Sequence, residues 1–231
     1  MRRRSSRRSS RSVIAESATD AGQLPPLARL ALAYAPASTR EDWLSLLLLD
    51  ARLAGIVRAA REPMLAQLRL AWWRDRLAAD PSGWPQGEPL LARIAAWGDR
   101  AKGLAALVDG WESLLGDAPL AQGALANFAQ GRAGGLAALA TRLGADAALV
   151  QGLALRWALA DLALHLGDAE ERKAALALLD AAPAFRAASA PLRPLAILAG
   201  LSDRAVRKGM AEALSGPSAL LAAMRIGLLA R

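Results

Sequence analysis

Apolar residues recur along this chain at helical spacing, and proline or glycine punctuates each run. Gln23-Leu24-Pro25-Pro26 and Ala35-Pro36 bracket a short helical segment, because each proline removes a backbone donor and restricts the residue before it. The ordered domain is expected to begin near Leu24. Ser38-Thr39-Arg40-Glu41 has capping-box spacing, with the serine hydroxyl in reach of the Glu41 amide, so a helix is expected from about Arg40 to Ala60. Glu62-Pro63 interrupts it, and Pro63 suits the first turn of a second helix that runs through Trp72 and Trp73 to about Ala79. A loop follows over Asp80 to Glu88. Further helical patterns cover Pro89 to Arg100, Gly103 to Leu115, Leu120 to Leu143, Asp146 to Leu166 and Ala169 to Leu179, with shorter ones after Pro183 and Pro194.

Gly131-Arg132-Ala133-Gly134-Gly135 lies inside one of these helices, where each glycine costs about 1 kcal/mol relative to alanine. A kink or a close helix crossing is the expected reason. The segment is not a phosphate loop, since no strand precedes it and no Gly-Lys-Ser/Thr closes it.

Composition agrees with the helical pattern. Hydrophobic residues make up 54% of the 231 positions, enough for a sizeable core in one domain. Alanine and leucine dominate while β-branched and aromatic residues are sparse, so an all-α chain is expected. The expected division is an Arg/Ser-rich tail over residues 1–23 and a helical domain over 24–231.

Charge is uneven. The net charge is +8, but Arg2, Arg3, Arg4, Arg7, Arg8 and Arg11 supply six positive charges, which leaves about +2 for the rest. The tail is expected to be solvated and disordered, because like charges repel and Ser and Arg bury little. No apolar run follows it as a signal-peptide core would, which argues against secretion. Its functional options are a weak tether to anionic lipid or nucleic acid, or an organellar presequence. A specific nucleic-acid role for the whole chain is disfavoured, since the basic charge sits in the tail without interleaved aromatics.

The absence of cysteine excludes disulfides, thiolate catalysis and Cys-ligated metals, and the single His165 leaves no histidine pair for a metal. Asp50 and Arg52 break the Leu46 to Val57 run, so no bilayer-spanning helix is expected. The expected location is the cytoplasm, with peripheral contact at an inner membrane left open.

Three blocks carry a family resemblance: Leu46 to Leu77, which contains Arg69-Leu70-Ala71-Trp72-Trp73-Arg74-Asp75; Leu107-Val108-Asp109-Gly110-Trp111-Glu112; and Leu125 to Gly135. In order and spacing they resemble the squalene/phytoene synthase family, particularly its divergent branch that includes a mitochondrial complex I assembly factor with a phytoene-synthase-like domain. The resemblance implies an isoprenoid-synthase-like (terpenoid synthase) helical bundle. In active members it implies two aspartate-rich clusters facing each other across a cavity. Their carboxylates would hold Mg²⁺, the ions would neutralise a diphosphate, and its departure would leave an allylic carbocation.

This chain departs from that pattern. The register set by Leu46 to Asp50 places the first cluster on Ala54-Gly55-Ile56-Val57-Arg58, where Ala54 cannot bind a cation and Arg58 would repel one. The second cluster maps near Gly152 to Ala163, with its first aspartate position falling on Ala163. Sliding that register would recruit Asp161 with His165, an i,i+4 pair able to share a metal. The ordinary expectation for His165 is a hydrogen-bonded residue at a helix end, paired with Asp161 or Asp168, with Asp168 capping the next helix ahead of Glu170 and Glu171.

These departures lead to an expectation of no cofactor and no metal. The function so implied is a diverged family member that works by binding, with assembly of a respiratory-chain complex as a candidate role. One alternative is a prenyl-diphosphate coupling transferase remodelled around Arg58, Arg69 and Arg74, which would need Mg²⁺. Another is an isoprenoid- or lipid-binding module. Arg58 is the foremost ligand candidate, because a guanidinium fork matches phosphate oxygens. Trp72 and Trp73 are adjacent and point to different sectors, so one is expected inside and the other at a cleft or interface with a protein partner or a prenyl ligand.

Overall fold

The computed structural model describes residues 20–184, 189–208, 222–224 and 226. Among these residues the protein is all-α, with no strand. Helix α1 spans Pro26–Ala33, α2 Arg40–Arg58, α3 Pro63–Ala78, α4 Pro89–Ile94, α5 Ala105–Glu112, α6 Gln122–Leu143, α7 Ala147–His165, α8 Ala169–Ala181 and α9 Arg193–Lys208. Short 3₁₀ segments occupy Pro81–Gly83, Ala95–Leu104 and Ala190–Leu192.

Helix α7 lies at the centre because it is apolar over most of its surface. Val150, Leu153, Ala154, Trp157, Ala158, Leu159, Ala160, Leu162 and Ala163 are all buried, which suits a helix surrounded by others. It packs against α6, α8 and α9, while α6 also packs against α5. Helix α2 lies over α4, α5 and α6, and α3 covers α5. Trp43 ties α2 to the segment before α9 by donating from Nε1 to the Pro191 carbonyl at 2.8 Å.

The glycines of α6 serve a close crossing. A Cβ at Gly131 would lie 2.5 Å from both the Ala106 carbonyl oxygen and Gly110 Cα, so α5 and α6 touch backbone to backbone. Helix α6 runs unbroken through this contact and ends at Gly144, which takes the left-handed conformation (φ 65°) at its C-terminus.

Two local expectations need correction. The capping box at Ser38 does not form: Thr39 is the N-cap with helical φ/ψ and makes no side-chain cap, while the Glu41 carboxylate accepts from Arg93 on α4. The helix expected from Pro89 to Arg100 stops at Ile94 and gives way to a 3₁₀ run, in which Gly98 (φ 57°, ψ −138°) turns the chain sharply. By contrast, Asp168 caps α8 as expected, accepting from the amides of Glu170 and Glu171 at 2.9 Å each. Of the tail expected over residues 1–23, residues 1–19 lie outside the described residues, as does part of the chain after Lys208, while Asp20 accepts from Arg93 at 2.5 Å.

Candidate functional site

Three charged residues, each flanked in sequence by apolar residues or glycine, meet inside the bundle. Asp50 comes from α2, Arg132 from the glycine-rich part of α6 and Asp161 from α7. Arg132 donates to both Asp50 oxygens, from Nε at 3.1 Å and from Nη2 at 2.6 Å, and its Nη1 donates to Asp161 Oδ2 at 2.6 Å. Trp111 of α5 adds a fourth bond, from Nε1 to Asp50 Oδ1 at 2.8 Å. Side-chain exposure is 5% for Arg132 and 10% for Asp50, so these charges have left water and must satisfy one another.

Aromatic rings complete the enclosure. The Arg132 guanidinium carbon lies 3.8 Å from the centroid of the Trp157 ring and 5.5 Å from those of Trp111 and Phe128, within cation–π range of all three. Trp111 and Phe128 meet edge to face at 4.8 Å. Burial works against the charge on Arg132, but the attraction of Asp50 and Asp161 and their hydrogen bonds outweigh it and hold its pKa above the ordinary arginine value. Arg132 is therefore a permanent cation. Trp111→Phe keeps the ring and removes the donor to Asp50, so it should destabilise the fold by about 1.5–3 kcal/mol, read from urea unfolding. A loss within experimental error would mean that the carboxylate is satisfied without it.

This cluster forms one wall of a cavity of about 360 Å³, otherwise lined largely by apolar side chains such as Leu27, Leu47, Val57, Leu114 and Leu198. Ala54 and Arg58 line it from α2, and Asp161 and His165 from α7. Arg58 is exposed, which places it at the open side, and it makes no ion pair among the described residues. His165 Nδ1 lies 2.7 Å from the Asp161 carbonyl, which can only accept, so the proton of this bond is on Nδ1. The side chains of His165 and Asp161 approach to 3.6 Å. Ala163 instead packs in the core.

The remaining candidates lie elsewhere. Arg69 lines a separate open groove of about 750 Å³ with Arg52, Gly55, Ile56 and Glu88. Arg74 is bound to Asp109 at 2.6 Å and to Glu112, linking α3 to α5. Burial lowers its pKa, yet the hydrogen bonds it donates to Glu112 and Asp109, and their negative charge, leave it raised. The three arginines thus share no site. Trp73 is buried and Trp72 is 39% exposed, their rings perpendicular at 5.2 Å.

The sequence reading missed Asp50, Arg132, Trp111, Phe128 and Trp157 as site residues. A signal was present, since a charge set among apolar neighbours inside a helix needs a partner, and Asp50, Arg132 and Asp161 are each so placed.

The residues at the cavity do not fit a magnesium cage. Its described carboxylates, Asp50 and Asp161, are both engaged by a guanidinium, and among the described residues no group of three or more His, Asp or Glu could hold a metal ion. In comparisons with known proteins, no family model, no curated protein and no solved structure matches this chain.

Proposed function

We propose that this protein is a diverged relative of the squalene/phytoene synthases, with an isoprenoid-synthase-like bundle, that binds an isoprenoid or similar apolar chain without metal-dependent prenyl transfer. The observation that carries this reading is the Asp50–Arg132–Asp161 bridge. The first cluster position, Ala54 to Arg58, holds no carboxylate, and the cavity's own Asp50 and Asp161 are spanned by a guanidinium and not free for divalent ions, which supports binding without metal-dependent transfer. A charge cluster costly to desolvate, set in the wall of an otherwise apolar cavity of about 360 Å³, is the usual composition of a ligand site. Arg58 at the open side suits the polar end of such a ligand. By resemblance, the downstream role is support of respiratory-complex assembly through a protein partner.

The test uses the purified full chain with farnesol and farnesyl diphosphate, in the presence and absence of Mg²⁺. Saturable quenching of tryptophan fluorescence with no release of diphosphate is the expected result, and Trp157→Leu should weaken the binding. Diphosphate release that Arg58→Ala abolishes would instead establish the coupling transferase. No binding of either compound would leave the cavity without this role.

A further inference from the structure

Helix α3 is apolar on two opposite faces. Ala66, Leu70, Trp73 and Leu77 face inward and are buried. On the other side Met64 is 72%, Leu65 50%, Leu68 62% and Trp72 39% exposed, one side chain above the next over successive turns. The solvent-facing stripe starts at the α2–α3 corner, where Arg58 and Arg61 are exposed, and Arg69 stands beside Leu65 and Leu68. None of these three arginines makes an ion pair among the described residues. Glu62 at the corner and Asp75 near the far end are the acidic groups on this face, so the corner itself is net cationic.

We infer that this face docks on an anionic phospholipid surface, with Met64, Leu65 and Leu68 entering the acyl boundary, Trp72 at headgroup depth, and Arg58, Arg61 and Arg69 paired with lipid phosphates. Leucine and tryptophan on one helical face beside arginine is the composition of interfacial helices, and the long arginine stems let charge reach headgroups while apolar neighbours insert. None of Met64, Leu65, Leu68 and Trp72 lines the groove or the cavity described above. Arg58, Arg61 and Arg69 outnumber Glu62 and Asp75 on this face, so a second copy would leave positive charge uncompensated, whereas lipid phosphates neutralise it. Among the described residues no helix is long and apolar enough to cross a membrane, so this attachment is peripheral. It also sets the open side of the cavity, marked by Arg58, close to the bilayer, the source from which an apolar ligand would come.

The experiment is co-sedimentation of the full chain with phosphatidylcholine vesicles containing or lacking phosphatidylglycerol, beside a chain lacking residues 1–12. Binding should require the anionic lipid and persist in the shortened chain. Leu65→Gln with Leu68→Gln should weaken it at least about tenfold, through lost apolar insertion. Removing the three arginine charges should weaken it about a hundredfold at low salt. Brominated acyl chains should quench a fluorescence component that Trp72→Phe eliminates. Because these side chains are exposed, thermal unfolding of the variants should match the parent, which separates lost docking from lost fold. Binding that ignores the leucine substitutions, or that vanishes with residues 1–12 alone, would overturn the inference. So would a dimer dispersed by Leu68→Gln in a chain that ignores vesicles, or a stripe satisfied only by an acidic protein. Since the lipids contain no isoprenoid, failure here leaves the cavity reading untouched.

Discussion

Arg132→Met should lower the unfolding free energy by about 3–5 kcal/mol, because it strands the buried Asp50 and the partly buried Asp161 without their guanidinium. Urea unfolding of both proteins at neutral pH measures this directly. Adding Asp50→Leu and Asp161→Leu to Arg132→Met should recover most of the stability, since a buried charge cluster rarely outperforms well-packed apolar side chains. A penalty that the triple variant retains would mean that Arg132 acts by filling space and not by charge. Recovery of stability together with loss of farnesol binding would tie the cluster to ligand handling.

Gly131→Ala should cost about 3 kcal/mol, against the gain of about 1 kcal/mol that alanine usually brings to a helix interior. The added carbon would meet the Ala106 carbonyl and Gly110 backbone at 2.5–2.6 Å, and backbone cannot rotate aside as a side chain can. Helices α5 and α6 would have to part, disturbing Trp111, Phe128 and Arg132, which the two helices supply to the cavity wall. Gly55→Ala in α2 is the matched control, because nothing lies within 4 Å of its would-be Cβ, and it should stabilise by about 0.5–1 kcal/mol. Thermal unfolding of the two variants compares them, and equal effects would contradict the close crossing.

Much of the architecture was legible because helix signals are local. Pro63 at the first turn of α3, Asp168 at the N-cap of α8 and Gly144 after α6 each act through their own backbone neighbours. The exceptions arose where a distant group competed. Glu41 was drawn to Arg93, 52 positions away, and not to the cap it could have closed. Gly98 took a positive φ that a periodic apolar pattern cannot announce. The site was partly legible. Ala54 and Arg58 were placed by register, and they line the cavity together with Asp161 and His165. Arg69 and Arg74 shared a motif with Trp72 and Trp73, but neighbours along a helix point to different sectors, and the fold sends Arg74 to Asp109 and Arg69 to an outer groove.

From its residues alone this chain specifies helices, their caps, an all-α class and a charge concentrated near its start, because each follows from backbone preference or simple composition. Which isolated charges find each other was decided only by packing. Asp50 and Arg132 are 82 positions apart, and their bond exists because Gly110 and Gly131 let α5 and α6 close up while α2 and α7 flank the guanidinium. Pairing across such a distance depends on the relative placement of four helices, and no local preference encodes it.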